Sequence, residues 1–274
     1  MGIGDIIYSK GILDNVKNDY DKIYVSPSWS IVREYSPERF EEYSKFVNFL
    51  FQTFFSESPY EIVEDPTFPA VSPVILGGLP VVKPDIRKYF KGEPPDRKPY
   101  ITLTTKVRGT SLDLYKEVLP DFITTLYFLS KKYDILLLGE RSIGMHKEYQ
   151  QHGPSQVFSL YDSIPKTVPN LIDMTEYNEL GFTAPSIPIF KRDCNLMAHA
   201  VCAVSVGGGG NFCIASALAN TISLCRYLLG LDIVMDTDGN YITYPFLDQY
   251  NNHKDSTVQV YQYGPEFIHA LNQL

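Results

Sequence analysis

Three short stretches of this 274-residue chain combine residues suited to binding or activating an anionic substrate. The most distinctive is 203–220, AVSVGGGGNFCIASALAN. There an apolar, strand-like run enters Gly207, Gly208, Gly209 and Gly210, and a helical run starts at Asn211. Glycines let a phosphate approach the backbone closely because no Cβ intervenes. Free N–H groups and the dipole at a helix start then favour negative charge. Four consecutive glycines also cost backbone entropy, so a turn that only reverses the chain seldom holds that many. No Lys-Ser/Thr follows, which separates the loop from the phosphate loop of ATPases. Counting G-x-G-x-x-G from Gly207 puts Phe212 at the third glycine, so the dinucleotide pattern fails as well.

The second stretch, ITLTTKVRGT over 101–110, sets Thr104, Thr105, Lys106 and Arg108 at the end of a β-rich run. Hydroxyls and cations there suit a diphosphate, although the same residues also make an ordinary solvated basic turn. The third is Gly2-Ile3-Gly4-Asp5-Ile6-Ile7. Its acid follows a glycine turn, where it can act as a base or simply cap the helix-like run behind it. Glu140 follows the apolar run DILLL (134–138) and can hydrogen-bond a ribose or a base, or pair with Arg141. No metal site is expected. The histidines (His146, His152, His199, His253, His269) lack ligand spacing, and Cys194, Cys202, Cys213 and Cys225 contain no C-x-x-C pair and read as reduced core residues. Asp236-Thr-Asp238 has the D-x-D form of a metal-dependent transferase, but Asp238-Gly239 is also a preferred hairpin turn between IVM and YITY.

The elements that must position these groups follow from hydrophobic periodicity. Strands are expected at 23–25, 100–104, 134–138, 171–172, 201–206 and 221–224. Ser36-Pro37 opens a helix whose stripe of Phe40, Tyr43, Phe46, Val47, Leu50, Phe51 and Phe54 reads as core. Further helices are expected from Pro120 through Leu129, and over 194–200, 211–220 and 265–274. Near-continuous apolar strands alternating with helices predict an α/β fold with parallel sheets covered on both faces. Nine of the 19 prolines fall between Pro59 and Pro99, and 91–99 reads as a linker. The expectation is two Rossmann-like domains, 1–95 and 96–245, followed by a tail, 246–274, that ends in a helix.

Composition narrows the function. With 24 Lys+Arg against 32 Asp+Glu the net charge is −8, which argues against coating nucleic acid. Hydrophobic residues at 44% and charged residues at 20% fit a globular chain. The N-terminus lacks a signal-peptide pattern, and no run approaches the roughly 20 apolar residues of a membrane span, so a cytoplasmic location is expected.

Taken in order, the three stretches resemble the heptosyltransferase-like glycosyltransferases of family nine, which have the two-domain GT-B architecture. The resemblance covers scattered parts of residues 2–16 and 100–225. It implies that Asp5 is the general base and that Thr104, Thr105 and Lys106 contact the donor diphosphate. The run from Ser205 to Leu218 is similar to the family's late strand, glycine turn and "AAL" helix. The implied activity is inverting, metal-independent transfer from a nucleotide sugar to a carbohydrate or glycoconjugate hydroxyl, with no separate cofactor. Arg108, Glu140 and the segment Gly207–Asn211 complete the expected donor site. The late turn departs from the family's Asp-Ser/Thr-Gly-x-x-His run, so a heptose is not implied. The strand that precedes the first glycine turn in the family is also missing, which leaves an absent first strand or a truncated start. The alternatives are a non-catalytic nucleotide- or sugar-binding module, a metal-dependent D-x-D (GT-A) transferase, and a dinucleotide-dependent oxidoreductase.

Overall fold

A computed structural model describes residues 3–27, 37–64, 86–105, 111–142, 164, 167–178, 186–206, 210–224, 234–235, 241–242, 258–261 and 263–274. Its centre is a six-stranded sheet of β3 (Tyr100–Thr105), β4 (Asp134–Leu138), β6 (Leu171–Asp173), β8 (Cys202–Val206), β9 (Thr221–Leu224) and β12 (Val258–Tyr261). The spatial order is β12-β9-β8-β3-β4-β6, and every neighbouring pair is parallel. Parallel strands buried on both faces need apolar side chains in both directions. Accordingly Ile135, Leu136, Leu137 and Leu138 are all fully buried, and β8 and β9 are buried throughout.

The helices divide between the two faces. On one face α4 (Ser111–Leu129) and α7 (Gly264–Leu271) pack together, with Phe122, Leu126 and Phe267 among Ile101, Leu103, Ile135, Leu137, Val204 and Val206. On the other face lie α5 (Ile187–His199) and α6 (Gly210–Leu218). Their Phe190, Cys194, Met197, Phe212 and Ala215 share a core with Leu136, Leu138 and Ala203.

The residues before 96 build onto that second face. Helix α1 (Ile3–Val16) packs on α6. Helix α2 (Pro37–Phe54) buries Tyr43, Phe46, Val47, Leu50, Phe51 and Phe54, as expected from the sequence, while the side chain of Phe40, the first residue of the expected stripe, is not described. β1 (Ile23–Val25) and β2 (Tyr60–Ile62) form a parallel pair. Among the described residues this two-stranded pair is the sheet structure of the first 95 residues. Phe190 sits edge-on to Phe46 (5.1 Å between centroids) and to Phe90 (5.4 Å), so one aromatic core joins both parts of the chain.

Polar contacts fasten the same junction. Arg87, in the short α3 (Arg87–Phe90), donates from Nε to the Leu218 carbonyl and from Nη2 to the Ala198 carbonyl (3.3 Å). Those carbonyls close α6 and α5, where a helix leaves acceptors unpaired and its dipole favours a cation. The Gly92 amide donates to Asn195 Oδ1 (2.7 Å), and His199 Nε2 donates to the Gly92 carbonyl (2.8 Å).

Helix α4 departs from expectation. It begins at Ser111 and carries Pro120 inside it rather than at its start. Proline removes one amide donor from the ladder. The buried stripe of Val118, Phe122, Leu126 and Leu129, running through the proline, holds the helix together. The expected hairpin is present, because β10 (Val234–Met235) and β11 (Tyr241–Ile242) pair antiparallel with Val234 opposite Ile242. β12 was not read from the sequence.

One cation is enclosed in the first part of the chain. Lys10, on α1, is 4% exposed and places Nζ 2.5 Å from Asp14 Oδ1, 4.6 Å from the centre of the Tyr60 ring and 5.7 Å from that of Phe55. Tyr60 donates its hydroxyl to the same carboxylate oxygen (2.8 Å). Burial lowers the Lys10 pKa, and the Asp14 carboxylate opposes the shift. Burial and the hydrogen bond to Asp14 push the Tyr60 phenol up.

Candidate functional site at the switch point of the sheet

The strand order has a consequence for binding. The chain leaves β3 for α4 on one face and leaves β8 for α6 on the other, yet β3 and β8 are neighbours. Connections that diverge in this way open a crevice at the carboxyl ends of the two strands, where open α/β sheets bind ligands. Within the sheet the order is that of a dinucleotide-binding fold, with three strands on either side of the switch.

The described parts of two stretches singled out in the sequence, β3 and β8, end side by side at this edge. The register pairs Thr104 with Ser205 and Thr105 with Val206, so the Thr-rich end of β3 lies beside the strand that leads into the glycine turn. Gly210 is the first residue of α6 and Asn211 lies in its first turn, which points the partial positive end of a nine-residue helix at the same edge. Lys106, Arg108, Gly207, Gly208 and Gly209 lie outside the described residues, as do Asp236 and Asp238. The side chains of Thr105, Glu140 and Asn211 are not described.

Glu140 opens β5 (Glu140–Ser142), which pairs with β7 (Glu176–Asn178) just beyond β4. Gly139 makes that step with φ 111°, a conformation that favours glycine. Its amide donates to Asp193 Oδ2 (3.3 Å), and Arg192 holds the other oxygen of that carboxylate (Nη2, 2.8 Å). Arg192 Nη2 also donates to the Met174 carbonyl just after β6. Arg192 and Asp193 therefore tie the ends of β4 and β6 to α5 and fix the backbone that presents Glu140. Neither residue was singled out in the sequence. An Arg-Asp pair in a helical run carries no signal for a turn this distant in the chain.

Asp5 lies in the first turn of α1, and its side chain is not described. α1 packs on α6, the helix that starts at the glycine turn. Cys194, Cys202 and Cys213 are buried and unbridged, and burial pushes the Cys202 thiol up to about 12 and raises that of Cys194. Thiols held protonated in this way are poor nucleophiles and poor ligands. Among the described residues, no three of His, Cys, Asp and Glu gather as a metal site would require.

The fold defines a class, the doubly wound parallel α/β proteins, in which ligands bind at the switch point. No protein-family model matches the chain, and no curated protein matches it. Among solved structures it is similar to the dodecameric iron-containing heptosyltransferase TibC in complex with ADP-D-beta-D-heptose. The identity is 15% and the TM-score 0.38, over 73% of this chain and 52% of that one. It is also similar to the bacterial iron-containing dodecameric glycosyltransferase TibC from enterotoxigenic E. coli H10407, at 13% identity and a TM-score of 0.37, over 72% of this chain and 51% of that one. The chain thus spans about half the length of the solved structures it matches. No helix among the described residues is long and apolar enough to cross a membrane.

Proposed function

We propose that the chain binds a nucleotide sugar at the switch point and transfers the sugar to an acceptor hydroxyl, as a glycosyltransferase. The observation that carries this reading is the β3–β8 register. It sets the hydroxyl-rich end of β3, which Lys106 and Arg108 follow in sequence, beside the end of β8, four residues before the start of α6. Hydroxyls beside a helix N-terminus suit a diphosphate, and the proposal adds the cations of Lys106 and Arg108 and the amides of the glycine run.

In the proposed reaction Asp5 takes the proton of the acceptor hydroxyl as its oxygen attacks the anomeric carbon. The bond from that carbon to the diphosphate oxygen breaks, and the nucleoside diphosphate leaves with the electron pair. Lys106, Arg108 and the amides of Gly207–Asn211 stabilise the charge that develops on it. No metal is required where cations and a helix dipole do this. Glu140 orients the ribose or base. The acceptor lies on the side of residues 1–95 and the donor on the side of 96–245, which makes the division near residue 96 part of the proposal. Placing α1 against α6 supports Asp5 as base, because it brings the helix that bears Asp5 onto the helix that starts at the donor site.

The test is a thermal-shift panel of UDP, GDP, ADP and CMP with their sugars, followed by transfer assays with Asp5→Ala. A ligand at 100 times its Kd stabilises by about 2.7 kcal/mol. The reading expects one nucleotide class to stabilise the chain, and it expects Asp5→Ala to lower turnover by about 10²–10⁴-fold with binding retained. Near-normal turnover in Asp5→Ala removes Asp5 from the base role. A second reading, a binding module without turnover, is favoured by the glycines that replace the Asp-to-His run at the late turn. It predicts nucleotide binding with no sugar released or transferred by any donor.

A further inference from the structure

Several buried hydroxyls among the described residues find a backbone carbonyl. Ser216 donates to Cys213, Thr221 to Ala219 and Ser223 to Ser205, each at 3.1 Å. Six others, on Ser9, Ser44, Tyr89, Thr102, Thr104 and Ser205, have none, and three of these lie together on the neighbouring strands β3 and β8. Thr102, Thr104 and Ser205 are 1%, 3% and 0% exposed, and none of the three hydroxyls has a hydrogen-bond partner.

Their positions are not scattered. Thr104 pairs in register with Ser205, and each is the last residue but one of its strand. Both fall on the same face as Leu138, which pairs with Thr104 and belongs to the core shared with α6. The two hydroxyls therefore lie side by side at the switch point, on the face covered by the helix whose N-terminus opens there. Thr102 lies on the same face, two residues further from the strand end, opposite Ala203.

A buried hydroxyl without a partner destabilises the fold, and native structures rarely leave two together. Their most direct use is to donate to an anionic oxygen that arrives with a ligand. Ser223 supplies the internal contrast. It pairs with Ser205 one strand away, on the same face, and is satisfied by the Ser205 carbonyl.

We propose that Thr104 and Ser205 form a hydroxyl pair that donates to a non-bridging oxygen of a ligand phosphate at the switch point, which adds Ser205 to the ligand-binding residues. The identity of the ligand, a nucleoside diphosphate group, rests on the reading above. Both oxygens are enclosed by protein, so a phosphate reaches them only when the strand ends open.

The experiment is calorimetric titration of the full chain with UDP, GDP, ADP, CDP and inorganic pyrophosphate, with Tm measured in parallel. The variants are Ser205→Ala, Thr104→Val, Thr104→Ser and Thr102→Val. Ser205→Ala and Thr104→Val are each expected to weaken the diphosphate that binds the wild type by about 10-fold or more. The Tm without ligand should stay level or rise, because an unpaired buried hydroxyl has been removed. Thr104→Ser keeps the donor and should bind within about twofold of wild type, as should Thr102→Val. Unchanged affinity in Ser205→Ala overturns the inference, and so does an equal loss in Thr102→Val, which would mark a packing effect. Wild-type binding of pyrophosphate but of no nucleoside diphosphate defeats the nucleotide-sugar reading and leaves the phosphate pair standing. Binding of neither defeats both.

Discussion

Two buried polar groupings lie in one shared core and are built on opposite plans. Around Asp14 the groups satisfy one another, since one carboxylate oxygen takes the Lys10 ammonium and the Tyr60 hydroxyl while aromatic faces cover the cation. At the switch point Thr104 and Ser205 are buried more deeply than Asp14, and neither hydroxyl has a partner among the described residues. A closed network holds parts of the fold together. An open one costs stability and is retained where something else completes it. Hydrogen-bond accounting together with position at the strand ends separates residues that build the protein from the pair proposed to serve a ligand, since Thr102 is unpaired too but lies further from the strand end.

The largest expected effect breaks the closed network. Asp14→Asn leaves Lys10 buried without its anion and should cost about 2–4 kcal/mol near pH 7, read by chemical denaturation. Its pH dependence is diagnostic. Burial lowers the folded-state pKa of Lys10 below the ordinary 10.5, and losing Asp14 removes the main opposing influence. Between the folded and unfolded pKa values the unfolded chain binds more protons, so stability rises with pH. The deficit of the variant should therefore shrink as pH climbs from 7 towards 10. A deficit that stays flat with pH would mean that Lys10 is not the charge at stake. Phosphate or nucleotide affinity should not change.

Next in size is Arg87→Ala, which strips the carbonyls of Leu218 and Ala198 of their donor. A loss of about 1–3 kcal/mol is expected, and hydrogen exchange should show faster opening at the C-terminal turns of α5 and α6. Tyr60→Phe removes one neutral donor from a carboxylate that keeps Lys10, so about 1 kcal/mol is expected by the same denaturation assay. The smallest effect carries the most information. Ser223→Ala deletes a made hydrogen bond and should lower stability by about 0.5–1 kcal/mol, whereas Ser205→Ala, an equally small change on the next strand, should not lower it at all.

Much of the scaffold was legible in the sequence, for physical reasons. DILLL is apolar in both side-chain directions, as a parallel strand covered on both faces requires; CAVSV and TISL are buried throughout although Ser205, Thr221 and Ser223 put hydroxyls on one face, and the stripe from Tyr43 to Phe54 has one helical reading. Helix α4 was misplaced because proline is a strong local breaker, while the tertiary burial of Val118 and Phe122 that overrides it is invisible locally. β12 escaped notice because Val258–Tyr261 is short and half polar and gains strand character only by pairing with β9. For the site, the chemistry of Thr104, Thr105 and the glycine turn was readable. The place of Thr104 and Thr105 beside the end of β8 was not, since strand order is a long-range property. Ser205 and Asp193 were missed because a serine in a strand and an acid in a helix have no meaning until their neighbours are known.

The central claim is that the ends of β3 and β8 form one ligand site. Hydrogen–deuterium exchange with and without the stabilising nucleotide tests it most directly. The account predicts added protection in peptides spanning 104–108 and 206–211 together, with none at β1 and β2. Protection of only one of the two segments, or protection centred on another part of the chain, would contradict it.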